Sequence, residues 1–492
     1  MKDTKLIDLL KNLGKEEFKE FEKFISSPYF SRGRDVTSLL KTLKQFYPEF
    51  TNEKLTDEYL IKSLFKNKKS ELTKSYSLLK TLTSELFKLG KEFLSYSEFN
   101  NDVNRKNYYL LNQLRKKKLY KEFEKEYKTS IQFQEINDTG NAEDFLNKYF
   151  LCLADAEYCV ETGRYKNAYE ALFKMAENSV FAALIRSFRL SEMKEVSKNF
   201  TKIETGFNLS EFLIENIDVK KFIHGISKRK DEMKFLPLIE ISYMVHEMTL
   251  HREKTEYFFR LKDLFYNNLK LLGQSERYML SGILGSYCIS MMDEHNKPEF
   301  RNELIELYDK SLELGFYKFK NEDDFSLSLF RNIVLTFTGY KNLDWLENFI
   351  HNFYGELNLK YRDSMKYYSL TYLYFAKQEY GKALENLIKV KYDFFLFKND
   401  VKSMYVKIYY EMNYTEQCYS MIDSMKHYIS TTKDLNDTFK KRIGNFIKYS
   451  AELLKMKSSG KKSNAGLIKK QIQKEEYIEM RRWLINKAEE LV

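Results

Sequence analysis

Four prolines are all the proline in this chain of 492 residues, and 17 glycines accompany them. A β-sandwich or an α/β enzyme of this length needs far more turn residues, so the chain is committed to long helical runs. Pro28, Pro48, Pro237 and Pro298 each fall where a helical pattern breaks. With 43% hydrophobic residues the chain can bury a sizeable core, either as about three domains or as one elongated array. The 37 Tyr and 39 Phe mostly fall at core spacing, and their enrichment alongside Lys, Asn and Ile matches an AT-rich coding sequence better than a set of base-stacking platforms.

The first hundred residues read as a helical bundle. Leu6, Leu9, Leu10 and Leu13 form one stripe that Gly14 should end; Phe18, Phe21, Phe24 and Ile25 form the next, broken at Ser27-Pro28. A helix is expected from Asp35 to Tyr47. Thr56, followed by Asp57 and Glu58, has the pattern of an N-cap opening a short helix through Phe65. A long helix from about Lys69 to Tyr96 follows, with Leu72, Tyr76, Leu79, Leu82, Leu86, Leu89 and Phe93 at spacings of three and four.

Residues 101–430 carry the marks of tetratricopeptide-like repeats, paired helices of about 34 residues with small residues where the helices meet. In Leu151–Met175, Ala156 takes the small position of the first helix, Gly163 makes the turn, Tyr165 follows it, and Ala168, Leu172 and Met175 continue the packed face. In Leu370–Val390, Tyr380, Ala383 and Leu387 correspond to Tyr165, Ala168 and Leu172. Tyr414, 34 residues after Tyr380, is expected in the same role, with Met421 beyond it. Leu111–Ser130 is a degenerate unit with Tyr120 at the turn and Phe123 where alanine is usual. Helix pairs are also expected at Arg277–Asp293 with Glu299–Leu314, bridged by His295-Asn296-Lys297-Pro298, and at Met233–Leu250 with Lys254–Leu272; between 176 and 275 no repeat register emerges. Residues 431–492 read as capping helices: one from Leu435 to Met456, a polar Gly/Ser-rich turn from Lys457 to Gly466, and a last helix from about Leu467 to Leu491.

Two segments resemble a family. Lys15 through Phe24 with Ser27 through Phe30, and Arg482-Trp483-Leu484-Ile485 near the end, are similar to the termini of a set of bacterial all-helical proteins without an assigned activity. That resemblance implies architecture and no chemistry. Leu6 through Phe24 also resembles the first two helices of death-fold adaptor domains over about 20 residues, a likeness that amphipathic helices of this composition often produce.

The net charge of +11 is uneven: residues 1–130 carry 28 basic against 19 acidic side chains, residues 431–492 carry 15 against 8, and the stretch between them 39 against 44. Basic ends attract nucleic acid or acidic partners. Here Glu is interleaved with the positive charges, as on an ordinary solvated face. The clusters Arg115-Lys116-Lys117-Lys118, Lys228-Arg229-Lys230 and Lys440-Lys441-Arg442 are where a nucleic acid would bind. The opening residues, with Asp3 and Asp8, do not read as a signal peptide, and the most apolar stretch, Tyr367–Ala376, is too short to span a bilayer. Cys152, Cys159, Cys288 and Cys418 form no CxxC and are expected to be buried and reduced, which fits the cytoplasm.

No catalytic motif is found. His246-Glu247-x-x-x-His251 is one residue too long for a zincin, and histidines five apart do not share a helix face. His224, His295, His351 and His427 are scattered, no phosphate loop or nucleophile elbow occurs, and Gly282 with Gly285 reads as a site of close helix packing. No acidic pair stands out in an apolar setting that would shift a pKa. The expectation is an all-α, non-enzymatic scaffold or adaptor with no catalytic, cofactor or metal residues and no cofactor. It would bind a partner protein or peptide in a helical-repeat groove whose lining residues the sequence does not identify. A nucleic-acid-associated regulator is the less favoured alternative, and a membrane is not an expected partner.

Overall fold

The computed structural model describes residues 3–30, 33–65, 72–200, 206–228, 234–293, 295, 297–320, 323–339, 342–391, 395–432, 437–460 and 464–492. Among these residues the protein is all-helical, with 24 α-helices and no strand. None of these helices is long and apolar enough to cross a membrane. The expected features at Lys69, Arg229-Lys230, Met233, Asn296, Leu435 and Lys461–Ser463 lie outside the described residues. The chain divides into two units, Met1–Gln134 with Phe150–Tyr169, and Glu135–Tyr149 with Glu170–Val492.

The first unit begins with α1 (Lys5–Asn12), α2 (Lys15–Ser26), α3 (Thr37–Lys44), α4 (Asp57–Leu64) and α5 (Leu72–Asn101). The apolar stripes turn inward: Leu6, Leu10, Leu13, Phe18, Phe21, Phe24 and Ile25 are buried with Leu39, Leu43, Leu86 and Phe93, and the Phe21 ring lies 5.3 Å from that of Phe93. Thr56 caps α4, its hydroxyl accepting the Tyr59 N–H at 3.2 Å. Gly14 departs from expectation. Helix α1 already ends at Asn12 with Leu13 extended, and Gly14, at φ −65° and ψ 163°, opens α2 instead. The Glu17 carboxylate reaches back to accept the Gly14 N–H at 2.7 Å, which satisfies a donor the helix leaves free. Asp102 caps α6 (Val103–Lys116), which is followed by α7 (Tyr120–Ile136) and α8 (Ala142–Glu161).

The second unit contains most of α9 (Tyr165–Phe200), then α10 (Leu209–Asn216), α11 (Val219–Ser227), α12 (Leu236–Leu250), α13 (Thr255–Asn267), α14 (Gln274–Asp293) and α15 (Phe300–Glu313). After these come α16 (Leu327–Gly339), α17 (Leu343–Phe353), α18 (Leu359–Ala376), α19 (Tyr380–Leu387), α20 (Phe395–Glu411), α21 (Thr415–Thr431), α22 (Asp437–Ser459), α23 (Ala465–Lys474) and α24 (Arg481–Glu490). Consecutive helices pack as hairpins at α12/α13, α14/α15, α18/α19 and α20/α21. Pro237 sits in the first turn of α12, where its missing N–H costs nothing.

Four hairpins turn on one backbone corner. Lys118, Gly163, Gln378 and Asn413 adopt left-handed conformations, with φ of 58°, 70°, 63° and 62°. The N–H of the next residue donates to the carbonyl five positions earlier: Leu119 to Leu114 at 2.9 Å, Arg164 to Cys159 at 2.8 Å, Glu379 to Tyr374 at 2.9 Å and Tyr414 to Tyr409 at 2.9 Å. This is the Schellman closure, which uses carbonyls that a helix end leaves free. Five residues after each corner the side chain is buried (Phe123, Ala168, Ala383, Cys418), and so is the one seven residues before it (Leu111, Ala156, Thr371, Val406). The corner also corrects a register. Gln378 aligns with Asn413, so Thr415 and not Tyr414 is the counterpart of Tyr380; Tyr414 precedes its helix by one position. A tyrosine spacing of 34 misled because the backbone corner, not the ring, sets the register.

The last helix is two. Met480 is left-handed at φ 53°, and α24 folds back on α23. The Arg481 guanidinium donates to the carbonyls of Ile472 at 3.1 Å and Gln473 at 3.0 Å and also to that of Glu475, so it closes the end of α23. The linker is held by Asn445, whose amide donates to the Tyr477 carbonyl at 2.7 Å.

Candidate functional site

Helix α20 is buried on nearly every side, with Val401, Met404, Val406 and Ile408 all inaccessible. Such a helix should be apolar all round. One of its sides instead carries Asn399, Asp400, Ser403, Lys407 and Glu411, at spacings that place them one above another. Facing this polar seam are Arg331 of α16, Tyr368, Tyr372 and Phe375 of α18, and Glu479, Trp483 and Lys487 of the carboxy-terminal segment.

At one end the two Asp400 carboxylate oxygens accept from one edge of the Arg331 guanidinium, at 2.7 Å from Nη2 and also from Nε, and Asp400 accepts from the Tyr368 hydroxyl at 2.7 Å. Burial works against the Arg331 charge, but Asp400 more than offsets it and holds the guanidinium firmly protonated. Burial, with Asp400 beside it, pushes the Tyr368 phenol well above its ordinary range. Next to this pair the Asn399 amide donates to both carboxyl oxygens of Glu479, at 3.0 and 2.9 Å. Loss of water raises the Glu479 pKa; Asn399 opposes the rise and the Asp400 charge adds to it. Asn399 Oδ1 and Ser403 Oγ are buried without a hydrogen-bond partner.

At the other end Glu411 accepts from the Trp483 indole at 2.9 Å and from Lys487 at 2.9 Å; Lys487 also reaches Glu490 at 2.7 Å. Lys457 donates to the Tyr410 carbonyl at 2.6 Å. Between the two ends, the Lys407 ammonium lies 4.3 Å from the centre of the Phe375 ring, a cation–π contact, and burial lowers its pKa to about 8 despite the nearby Glu411. The charges at both ends are satisfied within the chain. The seam is thus a clamp that ties α16, α18 and the carboxy-terminal segment to α20.

No local sequence pattern announces this seam. No acidic pair was expected in an apolar setting, yet Glu479 and Asp400 are one. The available signal was a polar row at helical spacing on a helix otherwise apolar all round. The partners lie 69 and 80 residues away along the chain, at Arg331 and Glu479.

The residues singled out from sequence have mostly structural surroundings. Arg115 is tied to Glu157 at 2.7 Å and to Glu161, so it is not a free cation, whereas Lys116, Lys117 and Lys118 are exposed. Lys228 is exposed, and Lys441 lies over the Tyr477 ring at 5.0 Å. His246 and Glu247 are core residues, with the His246 ring 5.8 Å from that of Phe188 and its pKa lowered by burial. The Tyr257 hydroxyl, raised to about 12 by burial and by its hydrogen bond to Glu247, belongs to the same interior. His251 ends α12. Among the described residues no three His, Cys, Asp or Glu side chains gather as a metal site.

Gly282 and Gly285 are not sites of close approach: a methyl group at Gly285 would meet Leu304 at an ordinary 3.6 Å, and one at Gly282 would meet nothing. Close approaches are found elsewhere, as at Gly273, which packs on Thr139 and donates its N–H to the Thr139 carbonyl at 2.9 Å, and at Gly140, which packs against Leu271 and Leu238. Cys159, Cys288 and Cys418 are buried and Cys152 is half-buried; burial raises the thiol pKa of the first three, to about 12 for Cys418, which makes them poor nucleophiles. Compared with protein-family models, characterised proteins and solved structures, the chain matches none.

Proposed function

We propose that this protein is a non-enzymatic cytoplasmic scaffold or adaptor, a tetratricopeptide-like α-solenoid that holds a partner protein or peptide against its helical-repeat surface. The observation that carries this reading is the recurrence of one corner at Lys118, Gly163, Gln378 and Asn413, with buried side chains at fixed offsets on both flanking helices. Corners of this kind can join consecutive helices into pairs, and stacked helix pairs present extended faces that suit a peptide or a helix. The ionic groups of the α20 seam support a structural role, because the chain's own side chains already occupy them.

The test is affinity capture by the tagged full-length chain from its native lysate, with and without nuclease, followed by titration of the enriched protein at rising salt. The scaffold reading expects saturable binding that survives nuclease and moderate salt. Binding lost to nuclease, with a steep salt dependence, would instead favour nucleic acid. Enrichment of no partner in either arm removes the main support for a scaffold.

A further inference from the structure

From Val103 to Lys121 the chain carries seven basic side chains and no acidic one. Interleaved Glu, the mark of an ordinary solvated face, is missing there. Helix α6 spans most of this stretch. Leu111 is buried and Arg115 turns to Glu157 and Glu161, which fixes the inward side of the helix. At helical pitch Leu111 lies about 160° and Arg115 about 120° from Tyr109, whereas Lys106, Gln113 and Lys116 all lie within about 60° of it. Tyr109, Lys106, Gln113 and Lys116 are exposed, as is Lys117 at the helix end. The Lys106 ammonium donates to Asn100 Oδ1 at 2.6 Å, a neutral acceptor, and among the described residues no ion pair includes Lys106, Lys116 or Lys117. The outward face of α6 is thus a row of positive charge about 15 Å long with a ring set in it.

That ring continues a series. The backbone leaves the helical conformation at Asp102, and Phe99, near the end of α5, meets Tyr109 across the break with ring centroids 5.9 Å apart. Tyr96, one turn before Phe99, meets Phe30 at 5.0 Å. Tyr109 is 54% exposed, Tyr96 45% and Phe99 38%. The two rings beside Tyr109, those of Phe99 and Tyr108, are inclined to it by 45° and 52°, so neither lies flat on its face. All these residues belong to the first unit. Exposed rings beside lysines free of ion pairs are the combination that holds a single strand: bases stack on the rings and the backbone follows the charges. We propose that the first unit binds single-stranded nucleic acid across Tyr96, Phe99 and Tyr109, with its phosphates held by Lys106, Lys116 and Lys117. A duplex keeps its base faces inside its own stack, and an acidic peptide would match the lysines but not the rings. The inference does not depend on the repeat reading.

Fluorescence anisotropy on the purified, nucleic-acid-free full-length chain tests this, with labelled oligothymidine and oligouridine of about 12 nucleotides and a duplex of the same length. At least one single strand should bind with a dissociation constant of about 1–100 µM at physiological salt, and the tighter of the two identifies DNA or RNA as the ligand. The duplex should bind at least about tenfold more weakly. Tyr109→Ala and Tyr109→Leu should each weaken single-strand binding about tenfold, while Tyr109→Phe keeps it; the exposed position leaves the melting curve nearly unchanged in all three. Lys116→Gln with Lys117→Gln should lower the slope of log Kd against log salt by about 1.4, the share of two phosphate contacts. No single-strand binding below about 100 µM, a duplex bound as tightly as a single strand, or a Tyr109→Leu variant with full affinity would each overturn the proposal. Displacement of the strand by polyglutamate at equal charge concentration would also overturn it, in favour of an acidic protein.

Discussion

The amino-terminal bundle and the α20 region solve the same packing problem in opposite ways. In α1–α5 the interior is Leu, Ile and Phe, and Ser75 alone is buried among the described polar side chains of those helices. Around α20 the interior includes Asn399, Asp400, Ser403, Lys407 and Lys487. A dry core is held by surface area and tolerates exchange of one apolar group for another. A buried ion pair requires both partners in place, because one orphaned charge costs more than a pair contributes. The bundle therefore depends on volume and the seam on pairing.

The sharpest break in that contrast comes from removing one partner at each place. Asp400→Asn leaves the Arg331 cation buried without its counter-charge, and the expected loss is about 3–5 kcal/mol. Phe21→Ala opens a cavity beside Phe93 and should cost about as much, roughly 3–5 kcal/mol. The two differ in rescue. Replacing both ends of the pair, Arg331→Met with Asp400→Leu, should recover most of the loss in denaturant midpoint, since two apolar groups need no partner. If the double variant is as unstable as Asp400→Asn alone, pairing is not what holds the seam.

A somewhat smaller effect is expected at Lys407. Its amine titrates near 8 in the fold against an ordinary 10.5. Between those values the unfolded chain binds the extra proton, so stability rises with pH across that window, and below pH 8 the full cost of the buried charge remains. Lys407→Met, whose thioether can rest on the Phe375 ring, should stabilise the protein by about 1–3 kcal/mol at pH 7 and flatten the rise between pH 8 and 10.5. Thermal melts at pH 7 and 10 decide it, and a loss of stability at pH 7 would show that the cation–π contact outweighs desolvation.

The same division explains what could be read from the sequence. The stripes of Leu6–Leu13 and Phe18–Ile25, the Thr56 cap and the break at Ser27-Pro28 follow from neighbours within one or two helical turns, and they appear as expected. All-helical architecture follows from the scarcity of proline and glycine. The seam was not legible, because the polarity of Asp400 makes sense only beside Arg331 and Tyr368, and no local period connects them. Nor was the break at Met480, which depends on Arg481 reaching back to carbonyls of α23. Gly14 lay between two patterns: it adjoins the end of one helix but serves the start of the next through Glu17.

Glu479 should show a smaller and opposite pH effect. An unfolded glutamate titrates near 4.5, and burial keeps this one protonated to higher pH. In that interval the folded state binds more protons than the unfolded one, so its contribution is complete below 4.5 and declines as pH rises through the raised pKa. Glu479→Gln should leave the midpoint at pH 4.5 nearly unchanged and reduce the decline toward pH 8. An unaltered pH profile would place the titration elsewhere in the seam.

The least perturbing comparison is among the four corners, where chemistry differs but backbone does not. Lys118 and Gln378 hold a left-handed conformation that costs a residue with a Cβ roughly 1–2 kcal/mol. Both are exposed, so Lys118→Gly and Gln378→Gly should each stabilise the fold by up to about 1 kcal/mol. Asn413→Gly should gain less, since asparagine tolerates this region better. At Gly163 the reverse holds: an added methyl meets no atom within 4 Å, so Gly163→Ala should lose about 1 kcal/mol through backbone strain alone. Melting temperatures of the four variants test the equivalence. A corner at which glycine destabilises is one whose side chain contributes something besides the turn, and it would no longer belong with the other three.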